Sequence, residues 1–292
     1  MKGVILTAGK AKRLRPATIA VGKVCLPIYD KPMIFYPLSL LLELGIDDIC
    51  IICSSKDKPI FENMLKPFKN VANLNIKLIE ENRTLGTAFA FNSASDSCKN
   101  DDSILIFGDN LLVDTNLTLK LKKAKKELKG ATIFGKEVEN PSSFGVIEKD
   151  SSNKLISIEE KPLQPKSNLV LTGLMMFDNT AFDKIKNIKP SIRGEYEITD
   201  LINMYIKENT ASAEELNSNC IWLDTGTHDS MLKASQIIRD YQKENGIYGS
   251  LEVALYRSNK INKQQFNKLI SIYNTEYQEK LIETLEEDEK QV

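Results

Sequence analysis

The chain has 292 residues, of which 42% are hydrophobic and 27% are charged, and its formal net charge is -1. This composition is typical of a folded globular protein and excludes an extended disordered chain. The near-zero net charge argues against a general attraction for nucleic acid or anionic membranes, so any anion site must be local. Because the sequence has no run of about 18 apolar residues and five cysteines, an odd number, we expect a soluble, cytoplasmic protein with free thiols.

The start of the chain combines a short apolar strand with a basic turn. Residues 2–6 predict a buried strand, and the turn after it carries four cations: Lys10, Lys12, Arg13 and Arg15. A small-residue turn of this kind brings backbone N–H groups and positive charge to the carboxyl end of a sheet, which favours a phosphate ligand. The turn matches neither the P-loop nor the dinucleotide fingerprint, so an ordinary basic surface loop is an equally good interpretation at this point.

Helix and strand patterns alternate beyond the turn. Strands are predicted near 46–53, 74–80 and 103–107, with helices between them. The first of these helices is predicted to start with Asp30 as its cap and Pro32 in its first turn, and to end before Gly45. This alternation indicates an α/β fold with a Rossmann-like, doubly wound and mostly parallel sheet. Asp109 follows the strand at 103–107, at the edge where such sheets bind ligands.

The second half of the chain changes character. Residues 130–177 are mostly strand patterns, which predict a β-rich insertion forming the far wall of a cleft. A strand at 220–224 ends in Asp224, which could share a site with Asp109. The only histidine, His228, excludes a multi-histidine metal site and argues against a Ser-His-Asp mechanism. We divide the chain into a core at 1–244 and a C-terminal helical extension at 245–292.

Eight short motifs follow one another along the chain: KVCLPIYDKPM at 23–33, LGTA at 85–88, GDN at 108–110, FGV at 144–146, EEKP at 159–162, TGL at 172–174, RGEYEIT at 193–199 and WLDTGTHD at 222–229. In this order and spacing the chain resembles the sugar-1-phosphate nucleotidylyltransferases over essentially its whole length. In that family a sugar 1-phosphate attacks the α-phosphorus of a nucleoside triphosphate and pyrophosphate leaves.

The resemblance implies a nucleotidyltransferase of nucleotide-sugar biosynthesis and gives the residues roles. Asp109 and Asp224 would hold Mg²⁺, whose hard character suits carboxylate oxygens. Arg13 and Lys23 would contact the nucleotide phosphates and Lys161 the sugar phosphate, so that Arg13, Lys23, Asp109 and Lys161 are the catalytic set. Further nucleotide contacts would come from Leu6, Ala8, Gly9, Glu81 and Gly86. The sugar phosphate would lie in the part at about 130–225 and contact Asn110, Gly145, Glu160, Thr172 and Gly173.

Two features depart from the family pattern. The family's turn reads LAGGxGTRL, whereas residues 6–14 read LTAGKAKRL, with Ala8 and Ala11 in place of glycines. Val24 and Glu81 stand where the family has glutamines that read the base. The simplest hypothesis is an active enzyme that uses dTTP and glucose 1-phosphate. The alternatives are an impaired relative that acts as a nucleotide-sugar-binding or regulatory subunit, and a transferase with another base specificity.

The resemblance also sets expectations about partners. The partners expected are the nucleoside triphosphate and the sugar 1-phosphate, with no nucleic acid and no membrane. The family is commonly homotetrameric and is inhibited at a second nucleotide-sugar site near subunit contacts. By this analogy we expect a homo-oligomer, and Glu252 and Arg257 in the C-terminal helices would contribute to such a surface.

Overall fold

The computed structural model describes residues 1–290, which form thirteen strands and eleven α-helices. The strands are β1 (Lys2–Leu6), β2 (Pro27–Ile28), β3 (Lys31–Pro32), β4 (Asp48–Cys53), β5 (Asn75–Glu80), β6 (Ser103–Phe107), β7 (Asn110–Val113), β8 (Ala131–Glu137), β9 (Gly145–Lys149), β10 (Leu155–Glu160), β11 (Leu169–Phe177), β12 (Ala211–Glu215) and β13 (Ile221–Asp224). The helices are α1 (Phe35–Glu43), α2 (Lys58–Val71), α3 (Thr87–Asn92), α4 (Ser95–Cys98), α5 (Leu117–Glu127), α6 (Ala181–Ile185), α7 (Ile198–Lys207), α8 (His228–Asn245), α9 (Leu251–Arg257), α10 (Lys263–Ile270) and α11 (Glu276–Lys290).

A nine-stranded mixed sheet forms the centre of the molecule. Strands β6, β1, β4 and β5 are neighbours in that order and run parallel. The apolar residues of β1, β4 and β6 are covered on both faces, as the uninterrupted Ile and Cys run of β4 predicts, whereas the edge strand β5 is partly exposed. The strands of the insertion extend the sheet through β11, which pairs antiparallel with β6, β8 and β9. The predicted α/β class, with a β-rich insertion and C-terminal helices, is confirmed.

Strands β7 and β12 were not predicted from the sequence, whereas the strand predicted at 220–224 is β13. β7 and β13 form a separate antiparallel pair, and β12 lies parallel to β8 at the edge of the sheet. β12 has the sequence Ala-Ser-Ala-Glu-Glu and a mostly exposed surface, so it lacks the apolar alternation by which a strand is recognised. Its backbone pairing with β8 makes it a strand.

The predicted cap of the first helix is wrong. α1 begins at Phe35 after Ile34, while Asp30 lies in the turn between β2 and β3. Asp30 binds the buried Lys31, with 2.5 Å between its Oδ1 and the lysine Nζ. Aspartate and proline mark tight turns as well as helix starts, and here the turn formed. Gly45 does lie just past the helix, with φ +73°.

The C-terminal helices pack against the beginning of the chain. α9 lies on α1, and its Glu252 is 0% exposed. The Glu252 carboxylate accepts hydrogen bonds from Tyr273 (2.6 Å), Tyr277 (3.2 Å) and Ser250 (2.7 Å). The expectation that Glu252 contributes to a binding surface is therefore wrong, because the carboxylate is enclosed by its own chain.

The ammonium of Lys31 joins the same region. It lies 5.2 Å from the ring centre of Tyr36 and 5.5 Å from that of Tyr277, and Gln242 accepts a hydrogen bond from it. Burial lowers the pKa of Lys31, although Asp30 acts in the opposite direction.

The division of the chain into a core and a C-terminal extension at residue 244 stays a prediction. Within residues 1–290, no helix combines the length and apolar character that crossing a membrane requires.

Tyr273→Phe should lower the free energy of unfolding by about 1–3 kcal/mol, because it leaves one oxygen of a fully buried carboxylate without its donor. Urea unfolding followed by circular dichroism measures the change. Tyr256→Phe, the same substitution at a partly exposed tyrosine of α9, is the control and should change stability by less than about 0.5 kcal/mol. Equal effects of the two substitutions would contradict the role given to the Glu252 hydrogen bonds.

Candidate active site

A cavity of about 410 Å³ opens beside the basic turn at the carboxyl end of β1. We call it the turn cavity. The following predicted nucleotide-binding residues line it: Leu6, Ala8, Gly9, Arg13, Lys23, Gly86 and Asp109. Lys10 of the basic turn also lines it, whereas Lys12 and Arg15 do not. Glu81 lies behind the wall, where it is bound to Arg83. The structure thus brings together all of the predicted nucleotide contacts except Glu81.

A second cavity of about 180 Å³ adjoins the turn cavity and is bounded by the insertion. We call it the insertion cavity. Asn110, Gly145, Glu160, Lys161, Gly173 and Asp224 line it. Thr172 does not, because its buried hydroxyl donates a hydrogen bond to the carbonyl of Phe134 at 2.8 Å. Thr87, Phe107 and Asp109 line both cavities, so a ligand in one can reach a ligand in the other beside Asp109.

Asp109 is held in place through its side chain and its backbone. Lys23 Nζ lies 2.9 Å from Asp109 Oδ2, and the hydroxyl of Thr225 donates to the Asp109 carbonyl at 3.0 Å. The next residue, Asn110, is paired with Asp224 across β7 and β13. This pairing brings the two acidic residues predicted to share a site to the same wall of the insertion cavity.

A glycine leaves room for Arg13 beside the acidic residues. A Cβ atom at Gly226 would lie 2.9 Å from Arg13 Nη2 and 3.3 Å from Asp224 Oδ1. Any larger residue at 226 would therefore displace the guanidinium. Arg13 and Lys23 place two cations around two carboxylates, an arrangement that can neutralise phosphate groups entering the cavity.

Gly173 is required by its surroundings on the insertion side. Its φ is +74°, and a Cβ there would lie 2.5 Å from Asn110 Nδ2 and 2.6 Å from Phe107 Cδ2. The strand pairing of β11 shifts at this point, between Leu171 and Met175. Such irregularities are common beside binding sites, and this one lies where Gly173 lines the insertion cavity.

Lys161 has an uncommon backbone conformation. Its φ is +47°, in the left-handed region that non-glycine residues rarely adopt and that occurs most often at functional sites. Its Nζ lies 3.5 Å from Glu160 Oε1, and Arg193 Nη1 approaches the same oxygen at 3.4 Å. A bound anion would find two cations at this end of the insertion cavity.

The two alanines that replace glycines in the basic turn differ in backbone conformation. Ala11 has φ +39° and ψ +44°, a left-handed conformation that favours glycine, whereas Ala8 does not have a positive φ. The carbonyl of Ala11 accepts a hydrogen bond from the Thr18 hydroxyl at 2.9 Å, and Leu14 is buried below the turn. These contacts hold Ala11 in a conformation that costs it about 1–2 kcal/mol relative to glycine.

Several lining residues were missed from the sequence. Arg83 and Thr84 line the turn cavity, and Trp222 donates its indole N–H to Asn110 Oδ1 at 2.8 Å. Trp222 lies in the motif at 222–229 and Glu195 in the motif at 193–199, but neither residue was predicted to contact a ligand. The position of Arg83 directly after β5 was the signal available for it, because ligands bind at the carboxyl ends of such strands.

The sequence matches a known family over most of its length. The family described as Nucleotidyl transferase matches residues 2–241. The chain belongs to this family. Membership confirms the predicted resemblance and makes the protein an enzyme of nucleotidyl transfer.

Individual relatives cover nearly the whole chain. A glucose-1-phosphate thymidylyltransferase of Neisseria meningitidis is 38% identical over 92% of this chain and 93% of its own length. One from Mycobacterium tuberculosis is 35% identical over 98% of this chain and 99% of its own length. Among solved structures, a Bacillus anthracis protein assigned the same activity, in complex with sucrose, has a TM-score of 0.75 at 33% identity and covers 82% of this chain and 96% of its own. A UDP-glucose pyrophosphorylase in complex with UDP-glucose shares the fold. It is 23% identical, has a TM-score of 0.72 and covers 84% of this chain and 99% of its own.

Ala11→Gly should raise the free energy of unfolding by about 0.5–1 kcal/mol, because the relief of the left-handed alanine exceeds the entropy that glycine adds to the unfolded chain. Ala8→Gly, with no positive φ to relieve, should instead lower it by about 0.5–1 kcal/mol. Urea unfolding of both variants measures the two changes. A loss of stability in Ala11→Gly as large as that in Ala8→Gly would be inconsistent with the backbone described for the turn.

Proposed function

We propose that the protein transfers a thymidylyl group from dTTP to glucose 1-phosphate, forming dTDP-glucose and pyrophosphate. The observation that carries this proposal is the position of Asp109, which lines both the turn cavity and the insertion cavity. A nucleotide in one cavity and a sugar phosphate in the other would meet with their phosphates beside this residue. The relatives named above, identical at 35–38%, support the choice of the two substrates.

The reaction forms one bond and breaks one. A phosphate oxygen of glucose 1-phosphate bonds to the α-phosphorus of dTTP, while the bond from that phosphorus to the bridging oxygen breaks and its electron pair leaves with pyrophosphate. Two polyanions must approach each other, so positioning and positive charge supply most of the catalysis. Arg13 and Lys23 would act on the nucleotide phosphates, and Lys161 would hold the sugar phosphate.

Mg²⁺ is the cofactor that we assign to the site. Asp109 and Asp224 supply hard oxygen ligands on one wall of the insertion cavity, and no cluster of three or more candidate metal ligands occurs within residues 1–290. Two carboxylates completed by substrate phosphates and water match the usual coordination of this ion. When bound, Mg²⁺ would neutralise charge on the α-phosphate. Lys23, which pairs with Asp109 at 2.9 Å, would then be free to turn toward the nucleotide.

The sugar would bind through the residues of the insertion. Glu160 and Asn110 offer hydrogen-bond acceptors and donors to hydroxyl groups, and Gly145 and Gly173 let the ligand approach the backbone closely. A Cβ at Gly145 would lie 3.4 Å from Glu160 Oε2, which places that carboxylate beside the glycine. This set supports an active transferase over a binding-only relative, because acidic residues and cations surround the point where the cavities meet.

Asp109→Asn and Asp224→Asn should each lower kcat at least about 100-fold, since each removes charge from the group that we assign to Mg²⁺. Pyrophosphate release with Mg²⁺, dTTP and glucose 1-phosphate measures the loss. Asp183→Asn is the matched control, because that carboxylate is 82% exposed on α6 and paired with Lys186. Retention of kcat in either active-site variant would refute the metal assignment, and no turnover by the folded wild type would refute the proposed function.

We also propose a homotetramer, from the family resemblance alone. Size-exclusion chromatography with light scattering should give four times the mass of the 32.9 kDa chain. A monomeric mass would count against this assembly without bearing on the reaction.

A further inference from the structure

Glu81 lies behind the wall of the turn cavity, and both oxygens of its carboxylate accept hydrogen bonds from the protein. It is 5% exposed. Its Oε1 accepts hydrogen bonds from the Arg83 backbone N–H at 2.8 Å and from Arg83 Nε at 3.0 Å. Its Oε2 accepts from Arg83 Nη2 at 2.9 Å and from the Ser93 hydroxyl at 3.1 Å. An ionised carboxylate has about four lone-pair sites, so Glu81 has none left for a ligand.

Arg83 is fixed by these contacts and by an aromatic ring. Its Cζ lies 4.5 Å from the ring centre of Phe89, and its two hydrogen bonds to the Glu81 side chain define the plane of the guanidinium. The bond to Arg83 also lowers the pKa of Glu81 against the effect of burial. Within residues 1–290 these bonds use two of the five guanidinium N–H groups, and the outer edge that remains carries donors only.

The sheet order indicates which part of a nucleotide would meet Arg83. Asp109 follows β6 and Arg83 follows β5, and three strand spacings separate these strands. At about 4.8 Å per spacing, the two strand ends lie roughly 14 Å apart. The basic turn after β1 lies between them. A nucleotide with its α-phosphate at Asp109 therefore extends along this edge and brings its base toward Arg83.

We propose that Arg83, positioned by Glu81 and Phe89, reads the base of the nucleotide and selects bases that present a carbonyl. This inference rests on the proposed function and names a specificity residue for it. The carbonyl of thymine, uracil or guanine accepts hydrogen bonds from the guanidinium edge. Cytosine and adenine present an amine at the same place, so donor would face donor. The amide at position 81 in the family both donates and accepts, whereas this chain offers donors alone.

The test compares dTTP with 5-methyl-dCTP, which differ on the pyrimidine reading edge and share the 5-methyl group. With Mg²⁺ and glucose 1-phosphate, kcat/KM measured by pyrophosphate release should favour dTTP by about 10- to 100-fold. Arg83→Met should reduce this ratio to about one, mainly through the KM for dTTP. Arg239→Met, at an exposed arginine of α8 paired with its neighbour Asp240, should leave the ratio unchanged.

Two further measurements keep the outcome decisive. Arg83→Gln replaces the donors-only edge by an amide that both donates and accepts, so it should also lose the preference if Arg83→Met does not fold. Calorimetric binding of dTDP and 5-methyl-dCDP gives the same ratio without turnover. If the protein shows no turnover but still binds dTDP in preference to 5-methyl-dCDP, the proposed function is refuted and the role of Arg83 is not. An unchanged ratio in a folded Arg83 variant, or no preference in the wild type, would overturn the role of Arg83.

Discussion

The antiparallel pairing of β7 with β13 is the interaction on which the candidate active site depends. It joins segments more than 100 residues apart and places Asp224 opposite Asn110, next to Asp109. Neither strand belongs to the central sheet. Helices α1 and α8 pack against β7 and β13, the Tyr248 hydroxyl donates to the carbonyl of Leu112, and the indole of Trp222 binds Asn110 within the pair. Because both cavities meet at Asp109, a shift of this small ribbon would separate the two halves of the site.

The sequence predicts the parallel part of the fold well, because strands covered on both faces carry uninterrupted apolar runs such as β4 and β6. It does not predict β12, whose edge position requires only backbone pairing, or the hairpin around Asp30, where turn and helix signals are the same. In the site, most of the residues predicted from motif positions line one of the two cavities. The motifs cannot give the direction of a side chain, which is why Thr172 and Glu81 were assigned contacts although neither lines a cavity, whereas the nearby Gly173 and Arg83 do.

The two cavities that meet at Asp109 differ in the charge and the backbone conformation of the residues that line them. In the turn cavity, Arg13 and Lys23 lie beside the acidic residues, and the turn accommodates a left-handed alanine at position 11, whose carbonyl is held by Thr18. In the insertion cavity, Gly173 and Lys161 of the wall have a positive φ. Within residues 1–290, Ala11 and Lys161 are two of six non-glycine residues with a positive φ, and they are the two that line the cavities.

The contact between Lys31 and Tyr277 has a consequence for biosynthesis. These residues are separated by most of the chain, yet the ammonium of Lys31 lies against the ring of Tyr277 in α11. During translation from the N-terminus, the hairpin of β2 and β3 emerges long before its aromatic cover. The hairpin of β2 and β3 therefore reaches its final surroundings only when nearly the whole polypeptide has left the ribosome, and a nascent chain lacking α11 would leave the Lys31 ammonium without the ring of Tyr277.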